Sequence, residues 1–124
     1  MAARQNIGVI NRGQQAFYFE NNQFANAIAE LDLGIDPQIV GNPHYEYFQK
    51  VDRELAITYA HSKNSQFKSY LGTVFVESTA GSDREPSMQR ILCELAQPQP
   101  LATIRIDRQH GTIFCPQEST DLAN

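Results

Sequence analysis

The spacing of hydrophobic residues changes near the middle of the chain, from a period of about 3.6 to a period of two. Between Ala3 and Asn22 there is no proline. At 100° per residue, Ala3, Ile7, Ile10, Gln14, Phe17 and Tyr18 fall on one stripe, which predicts an amphipathic helix over 3–22. Val9, Ala16 and Phe19 fall on a second face. Two readings of that face stand: aromatic spillover near a helix end, or a surface covered by another subunit. Gly8 and Gly13 each cost roughly 1 kcal/mol relative to alanine. A helix carrying both must be packed firmly elsewhere or continued upstream. Asn21 and Asn22 form a plausible stop. From Gln23 to Pro43 the chain reads as an irregular connection with one short helix, Asn26 to Leu31. Gly34, Pro37, Gly41 and Pro43 interrupt any longer element.

From His44 onward, alternation predicts strands. His44–Val51 and Leu55–Ala60 read as an antiparallel hairpin with Asp52-Arg53 at its turn. Ser69–Glu77 is a third strand, and Gly72 inside it points to a bulge or to close backbone packing. Arg90–Leu95 is a fourth. Two short strands, Ala102–Asp107 and Thr112–Cys115, follow the break at Pro98 and Pro100, with Gln109-His110-Gly111 as their turn. The polar segment 116–124 reads as a loose tail. One helix followed by a run of strands argues α+β, with the helix across one face of an antiparallel sheet of about four strands. Phe17, Tyr18, Phe19, Tyr45, Tyr47, Phe48, Tyr59 and Phe75 fit a core shared by helix and sheet.

The 124 residues make one domain. Leu, Ile, Val and Phe supply about a quarter of them, enough for a real core. Ten basic and fourteen acidic residues give a net charge of −4. Basic residues do not cluster; the closest group is Arg105 and Arg108 with His110 nearby, so strong nucleic-acid binding is not expected. There is no window of about 18 apolar residues.

Candidate chemistry is thin, and no catalytic, cofactor-binding or metal-ligating residue is assigned. His44, His61 and His110 lack ligand spacing, and Glu20, Glu30, Asp32 and Asp36 read as solvated carboxylates. Ser62 and Ser65 near His61 sit in no nucleophile elbow. Cys93 and Cys115 leave two readings open: buried free thiols, or a disulfide closing a loop of about 22 residues.

One combination of motifs goes further. Asn11-Arg12, Gln14-Gln15-Ala16, an aromatic pair and Glu20-Asn21 run along the helix, followed by Leu31, Leu33, Gly34 and Ile35. Tyr45-Glu46-Tyr47 opens the first strand, and Phe67-Lys68-Ser69-Tyr70-Leu71-Gly72 enters the third. Ile91-Leu92-Cys93-Glu94 and the later Cys115 complete the set. Over about residues 3 to 115 the chain resembles the globular part of the type IV pilin-like proteins of the G/H type found in cyanobacteria.

The resemblance implies a long N-terminal helix whose apolar first half enters the membrane and later forms a filament core. It implies that Cys93 and Cys115 close a loop at the subunit edge. It also implies that this chain lacks that apolar half and its leader, with Met1 and Ala2 as added residues. On this expectation the protein is a non-enzymatic subunit (major pilin, minor pilin or pseudopilin) of a surface or secretion filament, drawn from an inner-membrane-anchored, periplasm-facing pool. Ile7, Ile10, Phe17 and Tyr18 are then the helix-to-sheet core, and Val9, Arg12, Ala16 and Phe19 the face toward other pilin subunits. The soluble form should be a monomer or weak dimer. Gln49–Glu54 is more charged than the family pattern. Two rivals remain: a minor pilin that binds DNA, sugars or a partner protein, and a small soluble ligand-binding domain.

Overall fold

The computed structural model describes residues 2–31, 44–64, 66–77, 87–95, 107–109, 112–116 and 119–122. The first element, α1 (Ala2–Asn21), ends at Asn22, whose φ of 57° is left-handed. The Asn22 N–H donates to the Tyr18 carbonyl at 2.7 Å. Asparagine tolerates that conformation better than other residues with a Cβ, so it closes the helix where glycine often does. The helix expected at Asn26–Leu31 is a single 3-10 turn, Ile28–Leu31. The Glu30 carboxylate caps the Asn26 N–H at 2.9 Å.

The strands are β1 (Tyr45–Val51), β2 (Leu55–Ser62), β3 (Ser69–Glu77), β4 (Ser87–Leu95), β5 (Asp107–Gln109), β6 (Thr112–Phe114) and β7 (Ser119–Asp121). The main sheet has five strands rather than about four, in the order β1-β2-β3-β4-β7, with each pair antiparallel. β5 and β6 form a separate hairpin. At the β1–β2 turn, the Asp52 carboxylate accepts from the Glu54 and Leu55 N–H groups, both at 2.8 Å. That Asx-type turn fixes the register.

Residue parity along the strands sorts the core into two layers. On the helix side, Ala3 and Ile7 pack with Tyr45, Ala60, Tyr70 and Leu92, and Phe24 packs with Ala56, Val74 and Val76. On the outer side, Leu55, Tyr59, Leu71, Phe75, Ile91, Cys93 and Leu95 pack with Ile113 of β6. The sheet therefore lies between the helix and a C-terminal layer, which is why β2 and β3 are buried on both faces.

The stretch expected to be a loose tail contains β7. Ser119–Asp121 pairs with Cys93–Leu95, and the Leu122 N–H donates to the Leu92 carbonyl at 2.8 Å. Leu122 packs beside the cluster of Ala3, Ile7 and Tyr45. One apolar residue at the right parity, on a chain already returned to the sheet by Cys115, is enough to anchor the strand. The strand expected over 102–107 lies outside the described residues except at Asp107. Two aromatics expected in the core are exposed: Phe19 at 60% and Phe48 at 42%. Phe19 lies on the solvent side of α1. Phe48 lies on the outer face of the edge strand β1.

Gly72 is not at a bulge, because β3 keeps an unbroken register through it. A Cβ there would collide with Ile7 Cγ2 and lie 2.7 Å from Asn11 Oδ1. Glycine lets the helix settle onto β3. Gly72→Ala is expected to destabilise the fold by about 1–3 kcal/mol, the usual range for overpacking. A urea titration checks this, and an unchanged midpoint would refute the close-approach account.

Candidate functional site

The helix has two opposed faces. Ala3, Ile7, Ile10, Asn11 and Gln14 are buried. At 100° per residue they span about 100° of arc. Val9, Arg12, Ala16 and Phe19 fall in an arc of about 80° on the opposite side. Val9 is half-buried, and the other three are exposed. Arg12 makes no ion pair or hydrogen bond among the described residues. The ridge therefore offers two small apolar side chains, one aromatic ring and one cation. Of the residues expected in the helix-to-sheet core, Ile7 and Ile10 are fully buried. Tyr18 is half-buried against Phe24, with ring centroids 4.9 Å apart. Phe17 is half-buried at the border between the two faces.

Two amides outside those four core residues, Gln14 on the predicted stripe and Asn11 not on it, are among the most buried residues of the helix. Asn11 is 1% exposed and donates to the Ile91 carbonyl at 3.0 Å. Gln14 is also 1% exposed; its Nε2 donates to the Ala25 carbonyl at 2.9 Å, and its Oε1 accepts the Ala25 N–H at 2.8 Å. Gln14 thus ties the helix to the segment leaving it, with both backbone groups of Ala25 satisfied. The legible signal was spacing: Asn11 lies four residues after Ile7, on the same face.

The sequence motifs meet at this interface. Gln15 accepts from Arg90 Nη1 at 2.9 Å, so neighbouring helix residues hold β4 at two points. The Tyr45 hydroxyl donates to the Lys68 carbonyl at 2.8 Å, and Lys68 pairs with Glu94 at 2.7 Å. The hydrogen bond to Glu94, followed by the attraction of its charge, raises the Lys68 ammonium above its ordinary value, but the pair is exposed and adds little stability. Asn6 donates to the Tyr47 hydroxyl at 3.1 Å.

Cys93 and Cys115 are bonded, with Cα atoms 5.8 Å apart. The bridge joins the fully buried Cys93, near the C-terminal end of β4, to the residue following β6. It thereby holds Ile113 against the outer face.

No convergent catalytic group emerges among the described residues. His61 Nδ1 lies 3.1 Å from the Tyr59 hydroxyl, and Ser62 bonds within its own turn at Asn64. His44 stacks edge-on to Phe67. His110, Ser65, Asp32, Asp36 and Arg105 lie outside the described residues, as does the Arg108 side chain. Among the described residues there is no group of three or more potential metal ligands. No helix among them is long and apolar enough to cross a membrane.

The architecture is α+β: one N-terminal helix against a five-stranded antiparallel sheet, with a disulfide in the C-terminal part. This is the pilin-like class. The family model described as Type IV pilin-like G and H matches residues 1–116, and the chain belongs to that family. No curated protein and no solved structure matches the chain significantly. Membership makes it a structural subunit of pilin or pseudopilin type, which assembles with other pilin subunits.

The bridge and the tyrosines each give a measurable consequence. Denatured protein should show no reactive thiol until a reductant is added. Reduction should then lower stability by about 2–4 kcal/mol in urea. Burial raises Tyr45, Tyr47 and Tyr70 above their ordinary value of 10.0. Neighbouring tyrosines add to the effect at Tyr45, and Glu94 adds to it at Tyr70, whereas the Asn6 bond opposes it at Tyr47. Each holds its proton more tightly folded than unfolded. Their contribution is therefore complete below about pH 10 and is lost as pH rises through the raised values. Melting temperature measured against pH should fall above that point, and Tyr47→Phe should soften the fall.

Proposed function

We propose that this chain is a subunit of a type IV pilus or related surface or secretion filament. Its ridge of Val9, Arg12, Ala16 and Phe19 is the face the helix turns to neighbouring subunits. The observation that carries this reading is Phe19. A large ring 60% exposed lies about 130° around the helix from the centre of its buried face, at one edge of the ridge. A helix needs only one apolar stripe to dock on its own sheet. The second stripe is accounted for if assembled neighbours cover it.

The mechanism is assembly without chemistry. Apolar helix surface leaves water at about 25 cal/mol per Å². Arg12 sets register by pairing with an acceptor on the neighbour. The precursor is membrane-anchored and the finished filament stands at the cell surface, consistent with the family.

Phe19→Glu tests the reading in the producing cell. Incorporation into sheared surface filaments should fall roughly tenfold or more, the equivalent of losing one buried aromatic contact. The melting temperature of the purified chain should stay within a few degrees, because the ring touches little of its own fold. Normal incorporation of the Phe19→Glu variant would overturn the ridge assignment.

A further inference from the structure

Among the described residues, no strand pairs with the far edge of β1. The phase of that edge follows from two hydrogen bonds. The His44 carbonyl accepts from the Lys63 N–H, and the Asp52 N–H donates to the Leu55 carbonyl. Even-numbered residues of β1 therefore direct their backbone groups to β2. Tyr47, Gln49 and Val51 direct theirs outward. The side chains of Glu46, Phe48 and Lys50 lie on the outer face, and all three are exposed.

Opposite charges stand two residues either side of an exposed aromatic. Charges on an edge strand normally discourage pairing. Here they are arranged so that one partner cancels them, namely the same strand reversed. In an antiparallel pair about a two-fold axis at Phe48, Glu46 faces Lys50 of the second copy and Lys50 faces its Glu46. Phe48 faces Phe48 at a non-hydrogen-bonded position, where side chains approach closely. Tyr47 and Gln49 then face Gln49 and Tyr47 of the copy. These are the residues with outward backbone groups, so both hydrogen-bonded pairs form. Moving the axis to Tyr47 sets Glu46 against Phe48. Moving it to Gln49 sets Glu46 against Asp52. Only the register centred on Phe48 satisfies the charges, the aromatic pair and the hydrogen-bond phase together.

We propose that β1 is a docking edge for a second copy of this chain, paired antiparallel about Phe48. The contact is isologous and closes on itself, so it pairs free subunits and does not propagate a filament. It does not depend on the ridge assignment above.

Sedimentation equilibrium of the purified chain should show a reversible dimer that weakens with salt. Lys50→Glu or Glu46→Lys alone turns two attractive contacts into two repulsive ones and should weaken the dimer roughly tenfold or more. The double exchange, Glu46→Lys with Lys50→Glu, should restore it. Phe19→Glu should leave it unchanged. As a geometric check, Phe48→Cys should cross-link two chains on mild oxidation. Lys50→Cys should not, because its counterpart lies roughly 14 Å along the strand. A wild-type monomer at millimolar concentration would overturn the proposal. So would a dimer indifferent to the charge exchange, or one lost on Phe19→Glu, which would place the contact on the helix.

Discussion

The fold depends on how closely one helix approaches one strand. Gly72 is the point of contact. With no side chain there, Ile7 and Asn11 reach the surface of β3, and Asn11 donates over it to the Ile91 carbonyl of β4. The rest of the helix-side core follows from that approach. Gln15 is brought within reach of Arg90, and Asn6 within reach of Tyr47. A buried amide is destabilising unless bonded. Asn11 therefore does what a leucine in its place would not: it favours one helix height and rotation over the others.

The second constraint acts from the opposite side of the sheet. A sheet with a helix on one face leaves the other apolar, and Tyr59, Leu71, Ile91 and Leu95 would be wet without a cover. Ile113 supplies part of that cover, and the Cys93–Cys115 bond keeps it in place. The same bond returns the chain beside β4, where β7 adds an edge and Leu122 reaches the helix-side cluster. One covalent link thus closes both layers. Ordering so short a terminal strand costs little, because the disulfide has already closed most of the loop that leads to it.

These constraints explain what was legible in the sequence. The helix, β3 and the hairpin were readable because local period and turn chemistry specify them. Asp52 marks its turn by bonding its own backbone, and the Ser69–Glu77 run needs no distant partner to be recognised. The helix stripe gave Ile7 and Ile10 for the same reason. The tail was not readable, and Asn11 was readable only through its spacing from Ile7. Asparagine in a helix normally faces water, and only the missing Cβ of Gly72, sixty-one positions away in the chain, makes its burial sensible. Ser119–Asp121 has no strand pattern of its own and is a strand because Cys115 brings it to β4. Phe48 fits the core by hydrophobicity alone, which cannot tell the covered face of an edge strand from the open one, whereas helical periodicity already sets Phe19 on a second face.

Those two exposed rings define different kinds of surface. The four ridge residues carry one charge, on Arg12, so the ridge calls for an acceptor on the neighbour. Contacts of that kind repeat in one direction and build open filaments. The edge around Phe48 is its own complement, and once paired it offers nothing further. A subunit carrying both could be held in closed pairs through β1 with its helix ridge still open, since the ridge faces away from the sheet. Assembly would then not need to strip a partner from the surface it uses. The two contacts would compete only where filament packing brings another subunit against β1. On these two proposals the polarity of the filament and the symmetry of the paired subunits rest on different residues, and selection could adjust either one alone.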